Sequence, residues 1–382
     1  MILGIDASNI RGGGGITHLK EFLDHSDPKK FGFTKVFLWS GSKTLQNIKS
    51  KPWLIKVSVP ELDKSLLHRS YWQKYKLSAE AERNHCNLLF IPGGSYSGNF
   101  PNIVSMSQNL LPFEWKEMFR YGLSITTFKF LILRFIQSFT FLKSNGVIFL
   151  TQYARKRVLE QFRIKLENTI VISHGINQKF FFQNRVQKDF TEFTWQSPAK
   201  VLYVSFVGEY KHQWNVVYAI SRLLDKGIPI ELTLVGDLVD PTAVAKLKRS
   251  LIENHKWSQY LLHFTKVSYD EIDILYKKAD LFLFASTCET FGQIITEAMA
   301  SGLPIVTSDN MTLQEILGQS SIFFDSENID SIAESTELLL RDKILREQFA
   351  EQVFNKAKLY SWDRCAAETF RYFQKITKNL NE

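Results

Sequence analysis

Thirteen short runs of apolar and β-branched residues, alternating with segments of helical periodicity, constrain this chain more than any other feature. Parallel neighbours cannot be joined by a tight turn, so this alternation specifies a mostly parallel sheet with crossover helices. The first seven runs are Ile2–Asp6, Lys35–Trp39, Ile55–Val59, Leu88–Ile91, Ile103–Ser107, Val147–Thr151 and Thr169–Ser173. The other six are Val201–Val207, Ile230–Val235, Leu261–Thr265, Leu281–Ala285, Pro304–Thr307 and Ser321–Phe324. Between the two sets, Gln183 to Lys200 is polar and aperiodic and reads as a linker. At 382 residues the chain exceeds what one core supports, so two doubly wound α/β domains are expected. Helices are expected at Ile16–Leu23, Leu66–Arg83, Phe113–Tyr121, Ser124–Lys143, Tyr153–Phe162, Asp270–Ala279 and Gly292–Ser301, with two long ones, Arg341–Lys358 and Arg364–Thr377, closing the chain.

Composition narrows the function classes. Apolar residues at 45% and charged residues at 23% belong to a globular chain rather than a disordered one. Cys86, Cys288 and Cys365 are odd in number and far apart, so they build neither a disulfide framework nor a CxxC metal site, and a reducing compartment is expected. The opening MILGID has no signal-peptide pattern. Phe128 to Leu142 is the most apolar stretch, but Lys129 and Arg134 interrupt it, and its longest uncharged run, Phe135–Leu142, is too short to span a bilayer. No HExxH, GxSxG or Cys/His cluster is present, and the pair Asp237 and Asp240 resembles a metal clamp only loosely. The net charge of +8 is spread along the chain rather than massed in a stripe, so no nucleic-acid partner is expected.

The richest chemistry lies in Cys288 to Asp309, CETFGQIITEAMASGLPIVTSD. Glu289 falls in the loop after a strand, and Glu297 about one and a half turns into the next helix, so both carboxylates can border one crevice. The backbone N–H groups of Phe291, Gly292 and Gln293 sit where a helix start favours an anion such as a diphosphate. Carboxylates suit sugar hydroxyls, which can donate to both oxygens. An ordinary surface helix with two solvated glutamates has the same spacing.

This stretch resembles the signature of the retaining nucleotide-sugar glycosyltransferases of the GT-B fold, the family 4 or group 1 type. In that signature two glutamates with seven residues between them precede an Ala-Met-Ala-x-Gly-x-Pro segment, and Glu289, Glu297 and Ala298–Pro304 keep that order. The resemblance implies an α/β GT-B chain of two Rossmann-like domains facing across a cleft. It places an acceptor-side domain at residues 1–185, completed by a C-terminal helix at 362–382, and a nucleotide-sugar domain at 186–361. It further implies that Glu289, with Thr290, binds the donor sugar, Glu297 the ribose diol, and Phe291–Gln293 the phosphate and sugar through backbone. Metal-independent transfer without a cofactor is the corresponding expectation.

Other positions carry less specific signals. Val204 to Asn215, VSFVGEYKHQWN, follows the strand that opens the second domain. Glu209 and Trp214 stand where the family carries an Arg and a Lys, so Lys211 is expected to neutralise the leaving diphosphate, with His212 as its second; a solvated loop lysine is the plain alternative. Glu289 and Lys211 are thus the expected catalytic pair. Gly13, Gly14 and Gly15, within the run Gly12–Gly15 after the first strand, permit close backbone approach to a ligand, or only a flexible turn. By resemblance that loop faces the donor phosphates and the acceptor. His174 in ISHGI resembles a cleft-lining segment, and Gln108 and Asn109 occupy the place where relatives often carry a histidine near the acceptor. Neither amide is a base near neutral pH, which suits a front-face mechanism in which the departing phosphate oxygen takes the proton.

The function so implied is transfer of a hexose, with retention, from a UDP- or GDP-sugar to a glycan or lipid-linked acceptor in cell-surface polysaccharide (O-antigen, capsule or lipopolysaccharide) synthesis. A nucleotide-sugar epimerase of the same fold and a non-catalytic sugar-nucleotide-binding subunit are the alternatives. A cytoplasmic location is expected. The Phe-rich helix with Lys129, Arg134 and Lys143 is compatible with peripheral binding to an anionic membrane surface, and equally with a core helix whose cations snorkel.

Overall fold

The computed structural model describes residues 1–161, 168–182, 185–265, 267–268 and 271–380. The ends of three sequence-based expectations, at Phe162, Gln183 and Asp270, lie outside the described residues, as do residues 381–382 of the C-terminal helix. The chain divides into two compact units, one of Met1–Gly175 with Tyr360–Glu382 and one of Ile176–Leu359.

The first unit holds seven strands: β1 (Ile2–Asp6), β2 (Lys35–Ser40), β3 (Leu54–Ser58), β4 (Leu88–Ile91), β5 (Ile103–Ser107), β6 (Gly146–Phe149) and β7 (Thr169–Val171). They lie in the order β3-β2-β1-β4-β5-β6-β7, every pair parallel, with Ile5 opposite both Leu38 and Phe90. β4 and β5 are buried along their whole length, which is why they read as continuous apolar runs rather than alternating ones. Much of the phenylalanine excess sits in this core. The Trp362–Asn379 helix lays Phe370 and Phe373 against Phe22, Phe33 and Phe90, with ring centroids 4.9–6.5 Å apart.

Helix boundaries depart from the sequence reading where local context intervenes. The first helix runs from Gly13 to Asp24, so the glycine run supplies its first turn instead of preceding it. The stretch Leu66–Arg83 is two helices, Leu66–Tyr75 and Leu77–Arg83. Ser124 is the N-cap of the Ile125–Lys143 helix, accepting a hydrogen bond from the Thr127 N–H, which satisfies one otherwise unpaired donor.

The second unit holds β8 (Ala199–Val204), β9 (Ile230–Val235), β10 (Leu261–Phe264), β11 (Leu281–Phe284), β12 (Ile305–Ser308) and β13 (Ile322–Phe324). Their order is β10-β9-β8-β11-β12-β13, again all parallel. Strand order reverses at β8, whose neighbours are β9 and β11, and open α/β sheets form their ligand crevice at such a reversal, outside the carboxyl ends of the strands.

The units divide after Gly175 and after Leu359, not at 185/186 and 361/362. The reason is Arg185, which the sequence reading took as part of a linker. Its guanidinium donates to the carbonyls of Tyr276, Lys277, Ala279 and Ser301, tying the segment into the second unit. Burial lowers its pKa to about 10. Farther along the same segment, Arg346 donates to the Lys188 carbonyl, and Thr194 and Ser197 pair as an isolated bridge.

Candidate functional site

The loops that follow β8 and β11 meet at the strand-order reversal of the second unit. Lys211 comes from the first and Glu289 from the second. The Lys211 Nζ donates to Glu289 Oε1 at 2.5 Å, with side chains only 4% and 14% exposed. The ammonium also lies 4.8–5.3 Å from the ring centroids of Tyr210, Phe206 and Phe284. Desolvated between aromatic faces, it gains from the carboxylate and from the ring quadrupoles together. Lys211 is therefore not the solvated loop lysine of the plain alternative: it is buried and ion-paired with Glu289.

The two loops are fixed by further bonds. The Thr287 N–H donates to the Tyr210 carbonyl at 2.9 Å, Asn310 Nδ2 to the Thr287 carbonyl at 2.6 Å, and Thr312 Oγ1 to the Glu289 carbonyl at 2.8 Å. The Tyr203 hydroxyl donates to the Lys211 carbonyl from beneath. His212 is buried, approaches Thr287 Oγ1 at 3.4 Å and holds a left-handed backbone with φ 51°. A non-glycine residue in that region is strained and persists because its surroundings over-determine it.

The helix after β11 spans Gln293–Ala300 and starts at Gly292, with no side chain capping it. Gly292 has φ 77°, and a Cβ there would stand 3.1 Å from Leu313 Cδ2, so both conformation and space call for glycine. Thr290 and Gln293 are partly exposed, whereas Phe291 is buried. The arrangement sets Glu289 one short loop before a helix start whose dipole favours an anion.

Glu297 lies inside this helix and is buried rather than open to the crevice, which departs from the expectation of a crevice-lining carboxylate. Loss of water raises its pKa from 4.5 to about 8, against the opposing effects of the Tyr276 hydroxyl, which donates to Oε2 at 3.1 Å, and of the Lys179 charge. At neutral pH the group is mostly a neutral acid, able to donate one hydrogen bond and accept others.

Glu209 and Trp214, the departures from the family pattern, are linked by a residue the sequence reading did not single out. Lys246, from the Pro241–Glu253 helix, pairs with Glu209 Oε2 at 2.6 Å and lies 4.7 Å from the Trp214 ring centroid. The other Glu209 oxygen is buried without a hydrogen-bond partner among the described residues. Thus the helix that follows β9, the strand next to β8, supplies the cation that pairs with Glu209, a relation invisible to local motif reading.

The remaining candidates belong to the first unit. Gly13, Gly14 and Gly15 form the first turn after β1 and are largely exposed; a Cβ on Gly14 would touch nothing within 4 Å. Gln108 follows β5 and donates to the Pro92 carbonyl at 3.1 Å, with His18 Nδ1 3.3 Å away, while Asn109 accepts from the Leu111 N–H at 3.1 Å. His174 follows β7, is buried, and stacks on His18 with centroids 4.6 Å apart. His18 was absent from the sequence reading. The signal for it is the 3.6-residue period, once the helix is started at Gly13, since His18 and Phe22 then share the inward face. Burial and the neighbouring His174 push the His18 pKa well below its ordinary value, so its imidazole is neutral. Among the described residues no group of three or more His, Cys, Asp or Glu could hold a metal ion.

Comparison with known proteins bears on this geometry. Residues 186–356, which carry the Lys211–Glu289 pair, match the family model of the glycosyl transferases group 1. The chain is 30% identical over 118 residues to the O-antigen chain mannosyltransferase B of Escherichia coli, taking in 31% of this chain and 30% of that protein. It is 27% identical over 229 residues, 58% of this chain and 56% of the relative, to the GDP-mannose-dependent alpha-(1-6)-phosphatidylinositol dimannoside mannosyltransferase of Mycobacterium tuberculosis. It spans less than two thirds of either relative's length.

Among solved structures, sucrose-phosphate synthase from Thermosynechococcus elongatus superposes with a TM-score of 0.79 at 15% identity, covering 99% of this chain and 100% of that one. WaaG, a glycosyltransferase involved in lipopolysaccharide biosynthesis, does so at 0.69 and 14%, covering 97% and 99%. The two parallel-sheet α/β units have the GT-B glycosyltransferase fold. The second unit is a group 1 glycosyltransferase domain.

Proposed function

We propose that this chain is a retaining hexosyltransferase that moves a sugar from a nucleotide-diphosphate donor to a lipid-linked or growing glycan acceptor in cell-surface polysaccharide synthesis. The observation that carries the reading is Glu289, held by buried Lys211 at the strand-order reversal and directly before a glycine-started helix. Fixed there, its carboxylate takes the hydroxyls of the donor sugar, while the helix start takes phosphate charge that grows as the sugar bond breaks. Lys211 orients Glu289 and adds positive potential on the same side. Mannosyltransferases among the relatives make GDP-mannose the first donor to try, with UDP-glucose as the contrast.

The acceptor proton goes to the departing phosphate oxygen in this reading, since Gln108 and Asn109 are amides engaged with backbone. Neither metal nor cofactor enters the chemistry. The free, buried cysteines Cys86, Cys288 and Cys365 accord with a reducing, cytoplasmic setting.

The test is radiolabelled transfer from each donor to lipid extracted from bacterial membranes, with and without a chelator. The expected result is an acceptor-dependent product whose anomeric configuration matches the donor, unchanged by chelation, and a turnover lowered about 100-fold or more by Glu289→Gln. A product formed without acceptor would instead identify an epimerase, and donor binding with no product a binding subunit.

A further inference from the structure

The Ile125–Lys143 helix of the first unit is amphipathic in the inverted sense. Its inward face is largely polar: Thr127, Gln137 and Thr140 are buried, with Phe141 the one fully buried ring. Thr140 Oγ1 accepts from the Tyr96 N–H at 2.8 Å. Arg134 turns inward to the Pro112 carbonyl at 3.0 Å and over the Trp115 ring, and Lys143 to the Gly98 carbonyl at 2.7 Å. The outward face carries Ile125, Phe128, Ile132, Phe135, Phe139 and Leu142, between 44% and 76% exposed, at alternating spacings of three and four residues. Trp115 and Phe119, stacked with ring centroids 5.7 Å apart and also exposed, add to the apolar surface of the same unit. A helix that turns polar groups in and a continuous apolar stripe out is matched to an apolar medium outside, not to water.

Although the uncharged run Phe135–Leu142 alone is too short, the whole Ile125–Lys143 helix is long and apolar enough to cross a membrane by length and composition. The hydrogen bonds of its inner face and the packing of Phe141 against Phe113 and Phe149 instead hold it alongside the sheet. We propose that this face docks the first unit on an anionic lipid surface, lying in the interface with the stripe in the acyl region. Charge favours lipid over a second copy of the chain. The helix contains no Asp or Glu, and its exposed cation, Lys129, flanks the stripe, so two such helices would bring like charges together with no acid to pair them. An anionic headgroup layer complements the same arrangement, and aromatic rings are favoured at its depth. The cations that act are fewer than the sequence suggested, since Arg134 and Lys143 are engaged inside the unit, so the apolar stripe does most of the anchoring.

This inference stands apart from the transfer reading, because vesicle binding is measured with neither donor nor acceptor. The full chain is floated with vesicles of equal parts phosphatidylglycerol and phosphatidylcholine, alongside Phe135→Gln/Phe139→Gln and a control, Ile344→Gln, whose side chain is exposed in the second unit. Circular dichroism and melting curves establish that each variant is folded. The wild type and the control are expected to float, and the double variant to bind at least about tenfold more weakly. Lys129→Glu is expected to weaken binding to these vesicles and to leave the weaker binding to pure phosphatidylcholine unchanged. A folded double variant that floats as well as wild type, or a wild type that stays in solution, overturns the proposal. So does a wild-type dimer in sedimentation that the double variant dissolves, which would assign the face to a second copy.

Discussion

The Lys211 ammonium and the Glu289 carboxylate, which come from the loops after β8 and β11, form a nearly buried ion pair at the strand-order reversal of the second unit. Loss of Glu289 would leave the Lys211 charge among the rings of Tyr210, Phe206 and Phe284, and loss of Lys211 would leave the largely buried Glu289 carboxylate without its counter-charge. Removing one partner of such a pair is costlier than replacing both. Lys211→Met is therefore expected to lower stability by about 3 kcal/mol, and Lys211→Met/Glu289→Gln to recover most of that loss. Urea denaturation of the four proteins checks this. Because the double variant still lacks the carboxylate, its turnover should stay as low as that of Glu289→Gln. A double variant as unstable as the single one would show that the pair is not coupled.

Glu297 makes stability depend on pH in a direction opposite to that of an ordinary ion-paired carboxylate. Its pKa rises from 4.5 to about 8 on folding, so between those values the folded protein holds a proton that the unfolded chain has released. Stability from this group is full below about 4.5, falls as pH climbs toward 8, and is flat beyond. Glu297→Gln keeps the neutral shape and removes the titration. The melting temperature of the wild type relative to this variant should drop steadily from pH 5 to pH 8. A constant difference across that range would mean that Glu297 is already ionised in the folded protein.

Gly292 and Gly14 are both glycines at a helix start, yet they should respond to alanine in opposite ways. At Gly292 the left-handed backbone and the Leu313 contact penalise a Cβ, and Gly292→Ala is expected to cost about 1–2 kcal/mol. At Gly14 nothing obstructs a Cβ, and Gly14→Ala should stabilise the protein by about 0.5–1 kcal/mol through the unfolded chain. If the run exists for close ligand approach, that more stable variant loses turnover. Retained turnover in Gly14→Ala would reduce the run to a helix start without a role in transfer.

The alternation of apolar runs located all thirteen strands: inner strands such as β4 and β5 are buried on both faces and so apolar throughout, while the half-exposed edge strand β3 still carries the β-branched residues Ile55 and Val57. Glu289, Gly292 and the loop that joins them were legible for a similar reason: a turn between a strand end and a helix start is local, and its residues are consecutive in the chain. What the sequence could not show were partners across the fold. Lys211 had no visible tie to Glu289 until β8 and β11 were neighbours. Lys246 had no apparent link to Glu209 or Trp214, Arg185 read as linker although four carbonyls of the second unit hold it, and His18 gained its stack only when β7 brought His174 alongside. Local pattern fixed which segments fold and where their loops fall. Charge, burial and protonation, as for a Glu297 that is acid rather than carboxylate at neutral pH, were decided by contacts between residues distant in sequence, since desolvation and Coulomb energy depend on distance in space alone.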